Sequence, residues 1–112
     1  MDLANQKCVP CESGAPILKG DELKSLMSQI EGWELYDAES KIKKDYEFEN
    51  FAKAIEFINK VGQIAEEQGH HPNLYLHDYK KVRVELWTHK INGLHKNDFI
   101  LAAKVDNIDH AK

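Results

Sequence analysis

The sequence predicts an α+β domain in which helices pack on one face of a four-stranded antiparallel sheet, in the order α-β-β-α-β-β-α. An apolar stripe recurs at helical spacing over about four turns between Phe51 and Ala65. Apolar and polar residues alternate before and after this stripe, as they do in half-buried strands. Glycine and other turn residues separate these segments, so helices and hairpins follow one another.

The first predicted elements are a short helix over residues 21–31 and a β-hairpin. Asp21 is a good N-cap, apolar residues then repeat at helical spacing, and Gly32 supplies the stop. Trp33 and Leu35 begin the first strand of the hairpin, a turn follows over 37–40, and alternation over 42–48 marks the second strand.

The central helix is predicted to start after Asn50, a favourable cap, and to end at Gly69 in a left-handed conformation. Phe51, Phe57 and Ile58 are interpreted as packing residues of this helix. Pro72 prevents the helix from resuming and biases His71 toward extended backbone.

The second hairpin is predicted over 74–79 and 82–89, with His89 on the face opposite the core. Asn92-Gly93 is a turn, and a last helix over 99–108 follows, with Asp98 in or near its first turn, where a carboxylate complements the helix dipole.

The length of 112 residues and the composition predict one domain over residues 21–110, preceded by a flexible tail over 1–20. The net charge of −4 argues against a binder of nucleic acid, which would be basic. The longest apolar run, 99–103, is far below the ~20 residues that cross a bilayer, and residues 1–8 lack the apolar stretch of a secretory signal. We therefore expect a cytoplasmic protein that does not bind membranes.

Cys8 and Cys11 form a Cys-x-x-Cys motif among turn residues of the tail. Half of a zinc site or a redox pair would have this spacing, but a second ligand pair and a strand-to-helix context are missing. The motif is interpreted as reduced thiols on a mobile tail.

The residues that indicate chemistry are Glu66, His70, His71, His89 and Asp98. Histidine titrates near neutrality, so imidazoles with nearby carboxylates can both give and take protons. A metal site is the alternative, but adjacent histidines rarely reach one ion on regular backbone, and the sequence contains no His-Glu-x-x-His helix. The pattern favours a metal-free acid/base site.

Several motifs at matching spacing give the chain a family resemblance that runs over about residues 21–108. They are Glu31-Gly32-Trp33, Glu66-x-x-x-His70-His71-Pro72, Tyr79, Leu86-Trp87-Thr88-His89 and Gly93-Leu94 with 98–103. In these residues the chain resembles the pterin-4a-carbinolamine dehydratases. His95 departs from the pattern, in which Ser or Thr tends to cap the last helix, so the start of that helix and the placement of Asp98 are open.

The resemblance implies dehydration of 4a-hydroxytetrahydrobiopterin to quinonoid dihydropterin, with no cofactor besides the pterin substrate. It implies catalytic roles for His70, His71 and His89, with His71 and His89 as the main proton-transfer pair. It further implies that the substrate is bound by the following residues: Glu66, Trp33, Pro72 and Asp98.

The resemblance also implies a homodimer or homotetramer that works beside an aromatic amino acid hydroxylase. Similar proteins have been linked to molybdopterin metabolism as well, so the pathway is open. A non-catalytic dimerisation cofactor on the same fold is the alternative function. A small metal-binding protein is a third possibility, which elemental analysis tests.

Overall fold

A computed structural model describes residues 3–9 and 16–108. Within them the predicted order α-β-β-α-β-β-α is confirmed. The helices are α1 (Gly20–Met27), α2 (Phe51–Gln68) and α3 (Lys96–Asp106), and the strands are β1 (Glu34–Tyr36), β2 (Lys41–Glu47), β3 (Asn73–His77) and β4 (Lys81–Leu86). Short 3-10 turns occur at Leu3–Asn5 and His89–Ile91.

The sheet has the strand order β1-β2-β4-β3, with every neighbouring pair antiparallel. β4 lies in the middle and alternates strictly, so that Val82, Val84 and Leu86 point into the core and are fully buried. The helices cover this face, where Phe57 of α2 and Phe99 of α3 are also buried. The predicted fold class is therefore confirmed.

Helix α2 begins and ends where the sequence predicts. The Asn50 side chain accepts a hydrogen bond from the Lys53 backbone N–H at 2.9 Å, and Gly69 adopts a left-handed conformation with φ of 65°. One prediction for this helix is wrong: Phe51 is 52% exposed in the single chain and does not pack in the core. The buried face of α2 begins with Ala54, which is fully buried.

Two predicted boundaries also differ from the structure. Helix α1 starts at Gly20, has Lys19 at its N-cap, and ends at Met27, short of the predicted residue 31. Strand β4 ends at Leu86, because Thr88 and Gly93 pair with each other and turn the chain. His89 therefore lies in a 3-10 turn after the sheet and not on the strand.

Residues 3–9, which we call the N-terminal strap, lie against the domain. Leu3 is buried, and the Lys104 ammonium of α3 donates to the Ala4 carbonyl at 2.8 Å. The strap thus belongs structurally to the domain, although the sequence predicted a flexible tail over 1–20. Cys11 lies outside the described residues, so the prediction for the Cys-x-x-Cys pair is not addressed by the structure. No helix within 3–9 and 16–108 has the length and apolar character needed to span a bilayer.

Candidate active site

The end of α2 brings the adjacent histidines to the surface of the domain. Gly69 turns the chain, and the His70 backbone N–H closes the helix end on the Ala65 carbonyl at 3.1 Å. The His70 side chain then reaches α3, where its Nε2 lies 2.5 Å from Oδ1 of Asp98. A residue after α2 is thereby paired with a residue in the first turn of α3.

Asp98 is fully buried, and protein donors surround its carboxylate. The Thr88 hydroxyl donates to Oδ2 at 2.8 Å, and the His95 backbone N–H donates to the same oxygen at 3.0 Å. Oδ1 is left for His70. A buried carboxylate is stable only when it is paired and hydrogen-bonded, and this arrangement supplies both conditions while fixing the orientation of the imidazole.

His95 caps α3, which settles the question raised by its departure from Ser or Thr. Its Nδ1 accepts from the Asn97 backbone N–H at 3.0 Å, while Asp98 accepts from the His95 backbone N–H, so a capping box forms with an imidazole in place of a hydroxyl. The start of α3 and the placement of Asp98 are thus both defined.

His71 has a different partner. Its Nε2 contacts Oε2 of Glu66, one helical turn earlier in α2. Both side chains are mostly exposed, in contrast to the buried pair of His70 and Asp98. Glu66 thus lies beside His71 at this helix end, while His70 turns to Asp98.

His89 is held by stacking. Its ring lies flat against Trp87, with centroids 4.5 Å apart and an interplanar angle of 5°. The Lys41 ammonium lies 4.3 Å from the centroid of the Trp87 ring. Among the described residues the two nitrogens of His89 have no hydrogen-bond partner, so both are available to a ligand.

The three histidines share one open cavity of about 560 Å³. Thr88 and Lys90 extend the wall that carries His89, and the rest of the lining comes from two helix ends and the strap. These further lining residues are Gln68, Gly69, Asn97, Cys8 and Val9. Asp98 lies behind His70. A cavity of this size and mixed lining suits a small molecule with polar groups.

Some residues predicted for the site lie elsewhere in the single chain. Trp33 is buried, packs edge-on against Tyr46, and donates from Nε1 to Asp106 at 3.0 Å near the far end of α3. It does not line the cavity, so its expected position is not observed. Pro72 is half-buried and follows His71 without reaching the lining, and Tyr79 lies exposed in the β3–β4 turn.

The supporting residues Thr88, Asn97 and Gln68 were not predicted from the sequence. Thr88 offered a signal, since it continues the inward alternation of β4 as a polar residue among apolar ones. The strap was missed as well, and with it Cys8, whose pKa burial raises to about 11. Its thiol is therefore protonated near neutrality and reacts slowly as a nucleophile.

Within residues 3–9 and 16–108, no three side chains of His, Cys, Asp or Glu are grouped so that they would hold a metal ion. Metal-free chemistry stays a prediction. What the arrangement offers chemically is three imidazoles, two of them with carboxylate partners, around a space for a substrate.

The sequence matches a family model described as "Pterin 4 alpha carbinolamine dehydratase" over residues 16–108. A protein of Methylococcus capsulatus, provisionally named a pterin-4-alpha-carbinolamine dehydratase, is 47% identical over 106 residues, which cover 95% of this chain and 92% of that protein. A protein of Rubrobacter xylanophilus with the same provisional name is 45% identical over 107 residues, which cover 96% of this chain and 98% of that protein.

Two solved structures have the same fold. A transcriptional coactivator/pterin dehydratase from Brucella melitensis superimposes with a TM-score of 0.75 at 28% identity, over 81% of this chain and 96% of that chain. A pterin dehydratase-like protein, described as a RuBisCO assembly factor in the alpha-carboxysome, gives a TM-score of 0.61 at 22% identity, over 72% and 93%. The second likeness shows the fold alone.

Proposed function

This chain belongs to the pterin-4-alpha-carbinolamine dehydratase family, and we propose that it is a lyase that dehydrates 4a-hydroxytetrahydrobiopterin to quinonoid dihydropterin and water. The observation that carries the proposal is the single cavity that His70, His71 and His89 share. Imidazoles suit this reaction, because it requires one proton to be supplied and another to be removed near neutral pH.

The reaction balances with protein groups alone. A general acid gives a proton to the C4a hydroxyl, the C4a–O bond breaks, and water leaves while the N5 lone pair forms a C4a=N5 double bond. A general base then takes the N5 proton. No electrons are exchanged with the protein, so the step itself needs neither a redox cofactor nor a metal ion.

We assign the two proton transfers to His71 and His89, and their environments support this assignment. Both residues are exposed at the cavity, so each can exchange protons with water and return to its starting state after turnover. Stacking on Trp87 holds the His89 ring in a defined orientation, and neither of its nitrogens has a hydrogen-bond partner within residues 3–9 and 16–108. Glu66 contacts Nε2 of His71 and thereby helps to hold this ring in place.

His70 has the third role. Its Nε2 is committed to buried Asp98, so the ring is held in one orientation and its remaining nitrogen is a fixed hydrogen-bonding group for the pterin. In the proposed mechanism His70 is also the second acid/base, because it lines the same cavity as His71 and His89.

The test is the rate at which chelator-treated protein accelerates water loss from freshly generated 4a-hydroxytetrahydropterin, followed by the ultraviolet change on forming the quinonoid product. His71→Ala and His89→Ala are each expected to lower this rate by about 100- to 10,000-fold, the contribution of a positioned acid or base. His77→Ala is the matched control, because His77 lies on β3 away from the cavity, and it is expected to retain the full rate.

An unchanged rate in both His71→Ala and His89→Ala would remove these residues from the mechanism. Activity that depends on added metal would contradict the metal-free chemistry. No acceleration by the unaltered protein would instead favour a protein-interaction role, as the coactivator name of the Brucella relative suggests for that protein. A coupled assay with an aromatic amino acid hydroxylase and the mass of the protein in solution would test the partners that we propose, a hydroxylase and further copies of this chain.

A further inference from the structure

We propose that the N-terminal strap, Leu3–Val9, forms one wall of the pterin site and that Asn97 is the positioning residue that fixes this wall. The inference rests on the proposed function, because it concerns how that same cavity holds its substrate. It goes beyond the family pattern, since the family model matches residues 16–108 and the strap precedes them.

The strap runs along α3 in the opposite direction to the helix. Ala4 lies beside Lys104, near the C-terminal end of α3, and Val9 lies beside Asn97, at its first turn. Leu3 anchors the far end in the core, where it is buried. The strap is thus held at both ends, and its second half arrives at the cavity.

Asn97 binds the strap as a neighbouring strand would. Its Oδ1 accepts from the Val9 backbone N–H at 2.9 Å, and its Nδ2 donates to the Val9 carbonyl at 2.6 Å. The residue is 2% exposed, so its amide depends on these two bonds for its partners. A buried amide that pairs with both backbone groups of one residue fixes the position of that residue.

Gln68 adds a third connection, this time from α2. Its Oε1 accepts from the Cys8 backbone N–H at 2.8 Å, and Gln68 precedes His70 by two positions. The strap is therefore tied to the two helix ends that carry His70 and Asp98. Cys8 and Val9 line the same cavity as the three histidines, and they add apolar surface to its lining.

A wall made in this way contributes to holding the pterin and does not take part in proton transfer. Releasing the strap is therefore expected to raise KM while leaving kcat nearly unchanged. Leu3→Ala releases it without altering any cavity residue, and Leu23→Ala in α1 is the matched control, because Leu23 is equally buried and lies away from the strap.

We expect Leu3→Ala to raise KM roughly threefold to tenfold, the size of losing about one hydrogen-bonded contact, with kcat within about twofold. Leu23→Ala is expected to lower the melting temperature without moving KM. Asn97→Ala should raise KM similarly and add little in a chain that already carries Leu3→Ala, because both act through the strap. An unchanged KM in Leu3→Ala, or fully additive effects, would overturn the inference.

A second readout separates this inference from the proposed function. In a Cys11→Ser background Cys8 is the only thiol of the chain, and its alkylation rate reports on the strap. We expect Leu3→Ala to speed the alkylation of Cys8. In the chain with the unaltered strap, we expect 7,8-dihydropterin, which has no 4a-hydroxyl, to slow this alkylation. Absence of both effects in an active dehydratase would refute the wall and leave the proposed function intact. If the protein shows no dehydratase activity, protection of Cys8 by the pterin still supports the wall.

Discussion

His70 and His71 are neighbours in the chain, and each has its Nε2 against a carboxylate, yet the two pairs lie in opposite environments. The side chains of His70 and Asp98 are 12% and 0% exposed, whereas those of His71 and Glu66 are 61% and 77% exposed. His70 and Asp98 are 28 positions apart and connect the end of α2 to α3, whereas Glu66 and His71 both lie at the end of α2.

The difference shows how one helix stop can supply two kinds of imidazole. The buried pair is held by further donors from Thr88 and His95, so its geometry is fixed by the fold and its charges are poorly screened. Water and salt screen the exposed pair, so each of its two side chains gains little stabilisation from the other. His70 is thus the imidazole whose orientation the fold fixes, and His71 is the imidazole that is open to water.

The largest effect on stability is expected for Asp98→Ala. The change leaves the Thr88 hydroxyl and the His95 backbone N–H without their acceptor, and buried unsatisfied groups cost about 1–3 kcal/mol each. We expect the free energy of unfolding to fall by about 3 kcal/mol, measured by urea denaturation. Glu66→Ala is the control, with an expected change within about 0.5 kcal/mol, and equal losses in the two variants would contradict the contrast between the pairs.

Asp98→Asn sharpens the comparison at the level of catalysis. The amide keeps the shape of the carboxylate, but one of the two acceptor oxygens becomes a donor, so the side chain no longer fixes which nitrogen of the His70 ring carries the proton. We expect kcat to fall roughly 100-fold, the lower end of what a positioned acid or base contributes. The variant's circular dichroism and melting curve serve as the folding control, and a kcat within twofold of the unaltered protein would show that the buried pair has no part in turnover.

The capping of α3 is the next smaller effect. His95→Ala removes the acceptor for the Asn97 backbone N–H and is expected to cost about 1 kcal/mol, while His95→Ser restores a hydroxyl cap and most of that stability. Because the His95 backbone N–H still reaches Asp98 in both variants, kcat should change much less than in Asp98→Asn. Thermal unfolding gives the stability, and a loss in His95→Ala that serine does not recover would argue against the cap.

The elements around the site could be predicted because their signals are local. Asn50, Gly69 and Pro72 act on the backbone beside them, and they define where α2 begins and ends whatever the rest of the chain does. The histidines were found by their residue type and by family resemblance. The partners of the histidines were not predicted one by one: Glu66 contacts His71 at the same helix end, whereas the pairing of His70 with Asp98 depends on how α2 and α3 pack.

What could not be predicted depends on contacts between distant segments. Strand β4 stops early because Thr88 pairs with Gly93, and the position of His89 follows from that turn. Trp33 was expected at the site, but Asp106 at the far end of α3 binds it. The strap mixes apolar and polar residues without helical or strand periodicity, so its attachment to Asn97 and Gln68 left no pattern in the sequence.

The smallest effect is expected for Glu66→Gln, and salt makes it informative. The exposed pair with His71 is worth at most about 1 kcal/mol, so kcat should fall less than about fivefold at low ionic strength. In 1 M NaCl the Debye length is about 3 Å, so the unaltered protein should approach the variant and the difference should disappear. Asp98→Asn is the reference, since its buried carboxylate is shielded from salt and its loss should persist. A Glu66→Gln deficit that survives 1 M NaCl would mean that substrate binding closes this pair off from water, and the two halves of the site would then be alike during turnover.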